Sequence, residues 1–317
     1  VSIIPIESMP HYHPRLLALL GWTIAATTVC SAGPIHVAAK TGDVATIRKL
    51  LQKQPDLVST KDADGHTALH IAAEYSQTDA IKLLLEHDAE LDAQDGKDGM
   101  TPLHLAAWKG TAQAVDLLLE HGAAIDATDQ WSNTPLHLAA MEGRTATVEL
   151  LLARKADPNR VDHIGQSPLF AAVAFNRLET AEVLLRGHAD VDQQDASGNT
   201  PLFKAEGEEM TLLLLKYKAS IKAVNAVGNT PLHHAWDSAK AAILLANGAD
   251  VMAVNSSGAT PLHTAALVGA TAAAAVLLEH GAEPEAKDAD GNTPLNVALE
   301  NNEAATAAVI RHYLEQQ

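Results

Sequence analysis

Histidine is the residue in this chain best suited to chemistry. Imidazole titrates near neutral pH, ligates metals and shuttles protons, and the sequence carries 16 of them. Six share one setting: His36, His70, His104, His137, His233 and His263 each follow a Thr or Gly by three residues, as in NTPLHLAA at 133–140. That position is the third residue of a helix whose cap is the Thr. A Glu or Gln there normally reaches back to the cap residue in a capping box, and an imidazole can play a similar part. His66 and His70 stand four apart, but His66 falls in the turn before the cap, and no H-E-x-x-H pair exists. A second group, His87, His121 and His280, follows Glu at the ends of apolar stretches. There an imidazole can bond the last carbonyls of a helix and complement its dipole.

Other catalytic arrangements are missing from the sequence. It contains no G-x-S-x-G elbow and no Gly-rich phosphate loop, and its one cysteine is Cys30. Asp62, Asp129, Asp162, Asp195 and Asp288 recur and read as turn openers, since Asp bonds its own backbone in turns. The expectation is a chain without catalytic residues, metal or cofactor. The rival reading is a metal-dependent enzyme that exploits the histidines.

The elements that must position these residues repeat with a period near 33. The opening motif recurs as HTALH at 66–70, MTPLH at 100–104, NTPLH at 133–137, QSPLF at 166–170, NTPLF at 199–203, NTPLH at 229–233, ATPLH at 259–263 and NTPLN at 292–296, after a degenerate AGPIH at 32–36. Counted from the Thr position, the spacings are 34, 34, 33, 33, 33, 30, 30 and 33. A second motif recurs in each period, as in LLLEHGAAIDATD at 117–129 and LLEHGAEPEAKD at 277–288. Thr134 is an N-cap residue, and Pro135 fits the first helical position, where its missing N–H is harmless. Leu136, Leu138, Ala139 and Ala140 make a short helix that Gly143 ends in a left-handed conformation. A second helix, Thr145 to Arg154, sets Val148, Leu151 and Leu152 on one face. One such pair cannot bury its apolar face alone, so the units must stack.

The T-P-L-H-x-A-A opening, the L-L-L-E-H-G-A ending, the D-x-x-G-x-T turn and the 33-residue period resemble the ankyrin repeat family. The resemblance implies an all-α solenoid of about nine stacked helix–turn–helix units with β-turn fingers. It further implies a concave side, made of fingers and first helices, that binds another protein. The motif histidine would be a structural residue tying turn to helix. Stacking also argues against metal: equivalent residues sit about 8–10 Å apart across packed helices, whereas two ligands of one zinc lie within about twice a 2.0–2.1 Å bond.

Composition agrees. Hydrophobic residues make up 47% of the chain but aromatics only 3%, which suits close-packed Ala- and Leu-rich helices better than strands. A formal net charge of −17 gives no electrostatic footprint for nucleic acid or an anionic membrane. The expectation is a monomer with a protein partner.

The division read from the sequence is an N-terminal extension at 1–32, a degenerate N-terminal cap at 33–65, repeats at 66–291 and a C-terminal cap at 292–317. Within the extension, Met9 reads as a start, Arg15 as a sparse basic region, Leu16–Val29 as an apolar run and Cys30-Ser31-Ala32 as a cleavage site. That is signal-peptide grammar and predicts an exported protein, periplasmic or secreted, with no stable membrane insertion after cleavage. Two alternatives remain: an apolar helix packed on the first repeat, and a cytosolic adaptor that keeps it. A lipoprotein reading is weak, because Thr27, Thr28 and Val29 make a poor lipobox before Cys30.

Large apolar residues at variable positions mark the expected binding face. Tyr75, Trp108, Met141 and Phe175 fall at first-helix ends, Met100, Trp131 and Ile164 on finger tips, and Trp236 at the Trp108 position of a later repeat. Trp and Tyr are common interface anchors. The patch is centred on Trp108, Trp131 and Phe175; the alternative is that these rings pack on neighbouring fingers. The two 30-residue copies, 200–229 and 230–259, lack about three residues at the helix–helix junction and place Lys204 and Glu206 where other copies have small apolar residues. An irregular seam is expected there, as a bend, a weak point or a second docking site.

Overall fold

The computed structural model describes residues 33–316. The export segment read at 1–32 lies outside the described residues. Within them are seventeen α-helices and no strand, arranged as nine successive units. The units pair α1 (Pro34–Thr41) with α2 (Val44–Lys53), α3 (Ala68–Glu74) with α4 (Thr78–Glu86), α5 (Pro102–Lys109) with α6 (Ala112–Glu120), and α7 (Pro135–Met141) with α8 (Thr145–Ala153). Then come α9 (Pro168–Ala174) with α10 (Leu178–Arg186), and α11 (Pro201–Lys204) with α12 (Gly207–Lys216). A 3-10 turn at Pro231–His234 precedes α13 (Ser238–Ala246). Last are α14 (Pro261–Leu267) with α15 (Thr271–Glu279), and α16 (Pro294–Glu300) with α17 (Ala304–Glu315).

Each first helix packs on its own second helix and on the first helices of the adjacent units; second helices do the same in a parallel row. The outcome is the solenoid expected from the repeats. Alanine makes the close approach possible. Ala106, Ala107, Ala139, Ala140 and Ala172 are fully buried between neighbouring first helices. Leu103, Leu136, Leu169, Leu202 and Leu262, one residue after the helix-opening proline, are fully buried too. Each contributes about 1.5–3 kcal/mol relative to an exposed side chain.

Helix boundaries follow local chemistry. Thr134 has the extended backbone of a cap (φ −93°, ψ 167°), and Pro135 opens α7. Gly143 then adopts φ +68°, a left-handed value that glycine takes without strain. The second helix α8 starts at Thr145 as expected and stops at Ala153, with Arg154 as its C-cap. Val148 and Leu151 are buried as read from the sequence, whereas Leu152 is only half-buried.

Fingers between units are joined by backbone bonds. The amides of Gln130, His163, Ala196, Ala226, Ser256 and Ala289 each donate to a carbonyl of the preceding finger: Asp98, Trp131, Ile164, Ser197, Val227 and Ser257, at 2.9–3.0 Å. Inside the fingers an Asp carboxylate, or the amide oxygen of Asn225 or Asn255, organises the turn. Asp129 Oδ1 accepts from the amides of Trp131 and Asn133, both at 2.9 Å. Asp62, Asp162, Asp195 and Asp288 accept pairs of amides in the same way. The recurring aspartates are turn formers.

The two short copies deform the first helix and leave the second intact. α11 has four residues, and its successor is a four-residue 3-10 turn, where other first helices have seven or eight. One position of the second helix changes with it. In full-length copies it holds Ala80, Ala114, Thr147, Thr180, Ala273 or Thr306; in the two short copies it holds Met210 and Lys240. All are at most 1% exposed. The two longer side chains are buried in second helices that pack on the shortened first helices.

Candidate functional site

The histidine ladder is structural in its geometry. Thr134 N–H donates to His137 Nδ1 at 3.1 Å, and His137 Nε2 lies 3.1 Å from the Gln166 carbonyl of the next finger. His70, His104, His233 and His263 repeat both bonds, reaching the carbonyls of Met100, Asn133, Ala259 and Asn292. A backbone amide donating to Nδ1 leaves the ring proton on Nε2, where it serves the carbonyl; each ring is a neutral imidazole. Burial pushes the pKa of His70 and His137 down to about 4, and lowers those of His104, His233 and His263. Such a ring can neither bind a metal nor accept a substrate proton without breaking the join between two units.

Departures from the motif show what the imidazole does. At the first unit Gly33 replaces the capping Thr. His36 Nε2 still reaches the carbonyls of Thr60 and His66, both at 3.0 Å, but its Nδ1 is buried without a partner. Where Phe203 replaces the histidine, the Thr200 hydroxyl is buried without a partner. At helix ends, His121 Nδ1 and His280 Nδ1 bond the carbonyls four residues earlier at 2.8 Å. His87 makes no such side-chain bond among the described residues.

One finger gathers other titratable groups. Asp62, Asp64 and His66 offer ligand atoms within 4.8 Å of one another. His66 Nε2 lies 3.6 Å from Asp95 Oδ2 and its Nδ1 3.9 Å from Asp62 Oδ2. Burial pulls the His66 pKa down, but the carboxylates of Asp95 and Asp62 outweigh it and leave it raised. Burial likewise opposes ionisation of Asp95, and His66 together with the Asp98 and Met100 amides holds that carboxyl well below its usual range. His66 thereby links its own finger to Asp95 of the next, as an ion pair when protonated.

The expected binding residues fall into two kinds. Tyr75 and Trp236 are 42% and 52% exposed; Trp108, Trp131, Met141, Ile164 and Phe175 are half-buried. Met100 corrects the expectation of an exposed finger tip. It is 1% exposed and packs with Leu105, Leu138 and Trp108 in a small separate core. Its finger folds onto first helices α5 and α7, so this apolar side chain has a home inside the chain. Trp131 and Ile164 use their carbonyls in the finger ladder. Trp108 and Met141 have theirs bonded by Arg144 Nε at 3.1 Å and Arg177 Nε at 3.0 Å. The arginine heading one second helix thereby caps the preceding unit's first helix.

Two features escaped the sequence reading. Val161, Val224 and Val254 occupy one register, just before the turn-opening Asp or Asn, and are 41%, 54% and 62% exposed; the shared register was the available signal. The other is Lys240, a lysine in a register that holds Ala or Thr in the regular repeats and Met210 in the other short copy. Its Nζ donates to the Phe203 carbonyl at 2.9 Å and the His234 carbonyl at 3.3 Å. Burial lowers its pKa to about 7.

Among the described residues no helix is long and apolar enough to cross a membrane. Family models described as ankyrin repeats in three copies match residues 16–95, 35–129, 93–162, 123–195 and 169–255, and one described as ankyrin repeats in many copies matches 244–298. Among curated proteins no relative matches.

Proposed function

The chain belongs to the ankyrin-repeat family, and from that premise we propose that it is a non-catalytic, monomeric scaffold that holds one partner protein on the face formed by its fingers and first helices. Ankyrin repeats generally mediate protein–protein interaction. The observation that carries the reading is the row of aromatic rings at first-helix ends, from Tyr75 through Trp108 and Phe175 to Trp236, each left partly exposed on a scaffold that buries most of its other large apolar groups. Rings held on rigid helices lose little freedom on binding. The capping histidines His70, His104, His137, His233 and His263 support the same reading, since their ring nitrogens are spent on the cap amide and on the next unit's carbonyl.

Trp131 and Phe175 are the residues to test. Trp108 also packs on Met100, Leu105 and Leu138, so its truncation would lower stability as well as binding. In affinity capture with the full chain, Trp131→Ala with Phe175→Ala should lose the retained partner while the melting temperature stays near wild type. A fall in melting temperature with capture intact would remove the patch. Export is part of the proposal and rests on the 9–32 pattern; N-terminal sequencing of the mature chain should begin after Ala32, and a chain retaining that segment would refute it.

A further inference from the structure

The end of the first helix carries an aromatic ring in several units, and the chain itself supplies a cation to two of them. Lys40 Nζ lies 4.8 Å from the Tyr75 ring centre, and Lys109 Nζ lies 4.2 Å from that of Trp108. Lys109 is also held by Glu74, at 3.3 Å. The site at Trp108 is therefore a triad: an aromatic face, a cation on it, and a carboxylate from the preceding unit that steadies the cation.

Trp236 repeats this arrangement with one member missing. Glu74 and Trp108 sit seven residues after the caps Thr67 and Thr101; Glu206 and Trp236 sit six residues after the caps Thr200 and Thr230. Each pair thus sets a carboxylate and an indole in the same register one unit apart. The residue after Trp108 is Lys109, whereas the residue after Trp236 is Asp237. Among the described residues no cation lies over the Trp236 ring, which is 52% exposed. The adjoining segments carry carboxylates: Glu206, Glu208 and Glu209 are exposed in front of and within the first turn of α12, and Asp237 caps α13. Lys204 and Lys240 both act on His234; Lys204 is half-buried, and Lys240 is enclosed by the carbonyls of Phe203 and His234.

The ring is also held in place. Trp236 stacks on His234 with centres 5.5 Å apart and planes 24° from parallel, and His234 meets the edge of Phe203 at 5.5 Å. His234 accepts from Asn229 at 3.3 Å, and Lys240 fastens its carbonyl. A half-exposed indole braced by His234, with Glu206 one unit back in register and Asp237 next to it in the chain, is complementary to a cation. We propose that Trp236, with Glu206, is a docking point in the short-repeat seam for a Lys or Arg side chain of a basic partner segment, which supplies the cation that Lys109 supplies at Trp108. The proposal rests on the protein-binding reading above and assigns one part of that surface its chemistry.

The test uses the full chain and a fluorescein-labelled peptide of alternating arginine and serine, with a glutamine-for-arginine peptide as the neutral control. By fluorescence anisotropy the arginine peptide should bind and the glutamine peptide should not. Trp236→Ala should weaken binding about tenfold, and Glu206→Gln severalfold. Trp236→Phe, which keeps a ring and the fold, should fall between Trp236→Ala and wild type. Arginine-peptide affinity that is unchanged in Trp236→Ala and Glu206→Gln would trace binding to the overall acidic charge and overturn the proposal. So would equal binding of the two peptides or no binding at all. If partner capture survives in Trp236→Ala but fails in the Trp131 and Phe175 variant, the scaffold reading stands and this site falls. The reverse outcome retains this site and removes that patch.

Discussion

Replacing His137 by phenylalanine isolates what the histidine ladder contributes. The shape is already tolerated at this position, since Phe170 and Phe203 fill it in two other units and are buried there. His137→Phe therefore removes two hydrogen bonds with little change in packing. The Thr134 amide loses its acceptor and is left buried and unsatisfied, at a cost of about 1–3 kcal/mol, while the Gln166 carbonyl loses one donor but keeps the Asp162 amide, a lost bond worth about 1 kcal/mol. A destabilisation of about 3 kcal/mol near neutral pH follows. The pH dependence supplies a second, independent reading. In the folded protein the His137 pKa is depressed to about 4, chiefly by burial, from an ordinary 6.5. Between those values the unfolded chain binds the extra proton and the folded chain does not. The stabilisation is complete above the ordinary value and is lost as pH falls toward the folded value. Near pH 5 the loss is about 2 kcal/mol for this one ring. The variant has no such ring, so its deficit relative to wild type should shrink from about 3 to about 1 kcal/mol between neutral pH and about pH 5. Urea unfolding followed by circular dichroism at both pH values measures it, and the other histidines cancel in the difference. A deficit that does not change with pH, or an equally stable variant at neutral pH, would refute the account of the neutral, doubly bonded imidazole.

Three further outcomes follow from the same geometry. Lys240→Met puts the residue of the neighbouring short unit, Met210, into the same register. Because burial depresses the lysine pKa from 10.5 to about 7, wild-type stability should fall as pH drops from about 10 to about 7, and the variant should show a flatter profile in urea midpoints. Met100→Ala should lower stability by about 2–5 kcal/mol, as for a truncated core residue, and leave partner capture unchanged, since Met100 is enclosed by Leu105, Leu138 and Trp108; capture lost at an unchanged melting temperature would return Met100 to the binding face. Gly33→Thr restores the missing cap beside His36 Nδ1, in a backbone region open to any residue (φ −62°, ψ 160°), and by giving that buried nitrogen a partner should raise stability by about 1 kcal/mol. A melting temperature that stays the same or falls would show that the orphaned nitrogen is not waiting for a hydroxyl.

Much of this protein is local, and what is local was legible in the chain. The Thr-Pro opening, the glycine that ends the first helix and the aspartate that turns the finger act within a few residues of themselves, so their types and spacing specify each unit without reference to the others. The period then obliges the units to stack, because neither helix of a pair can hide its apolar side alone. The histidine's place at the third helical residue was equally readable, along with its bond to the cap.

Its second bond, to a carbonyl 26–30 residues onward, exists only once the next unit has docked. The same holds for the faces of the apolar side chains. Met100 and Trp131 both read as finger-tip residues, one and three positions before their caps, yet Met100 is enclosed by two first helices while Trp131 stays half-exposed. Lys240 looks misplaced in its register until the shortened helices beside it present two carbonyls. Burial, the state of a proton and the fate of a cation over a ring are set by what arrives from the adjacent unit, and the distance across which a neighbour arrives is a property of packing, which no single stretch of sequence contains.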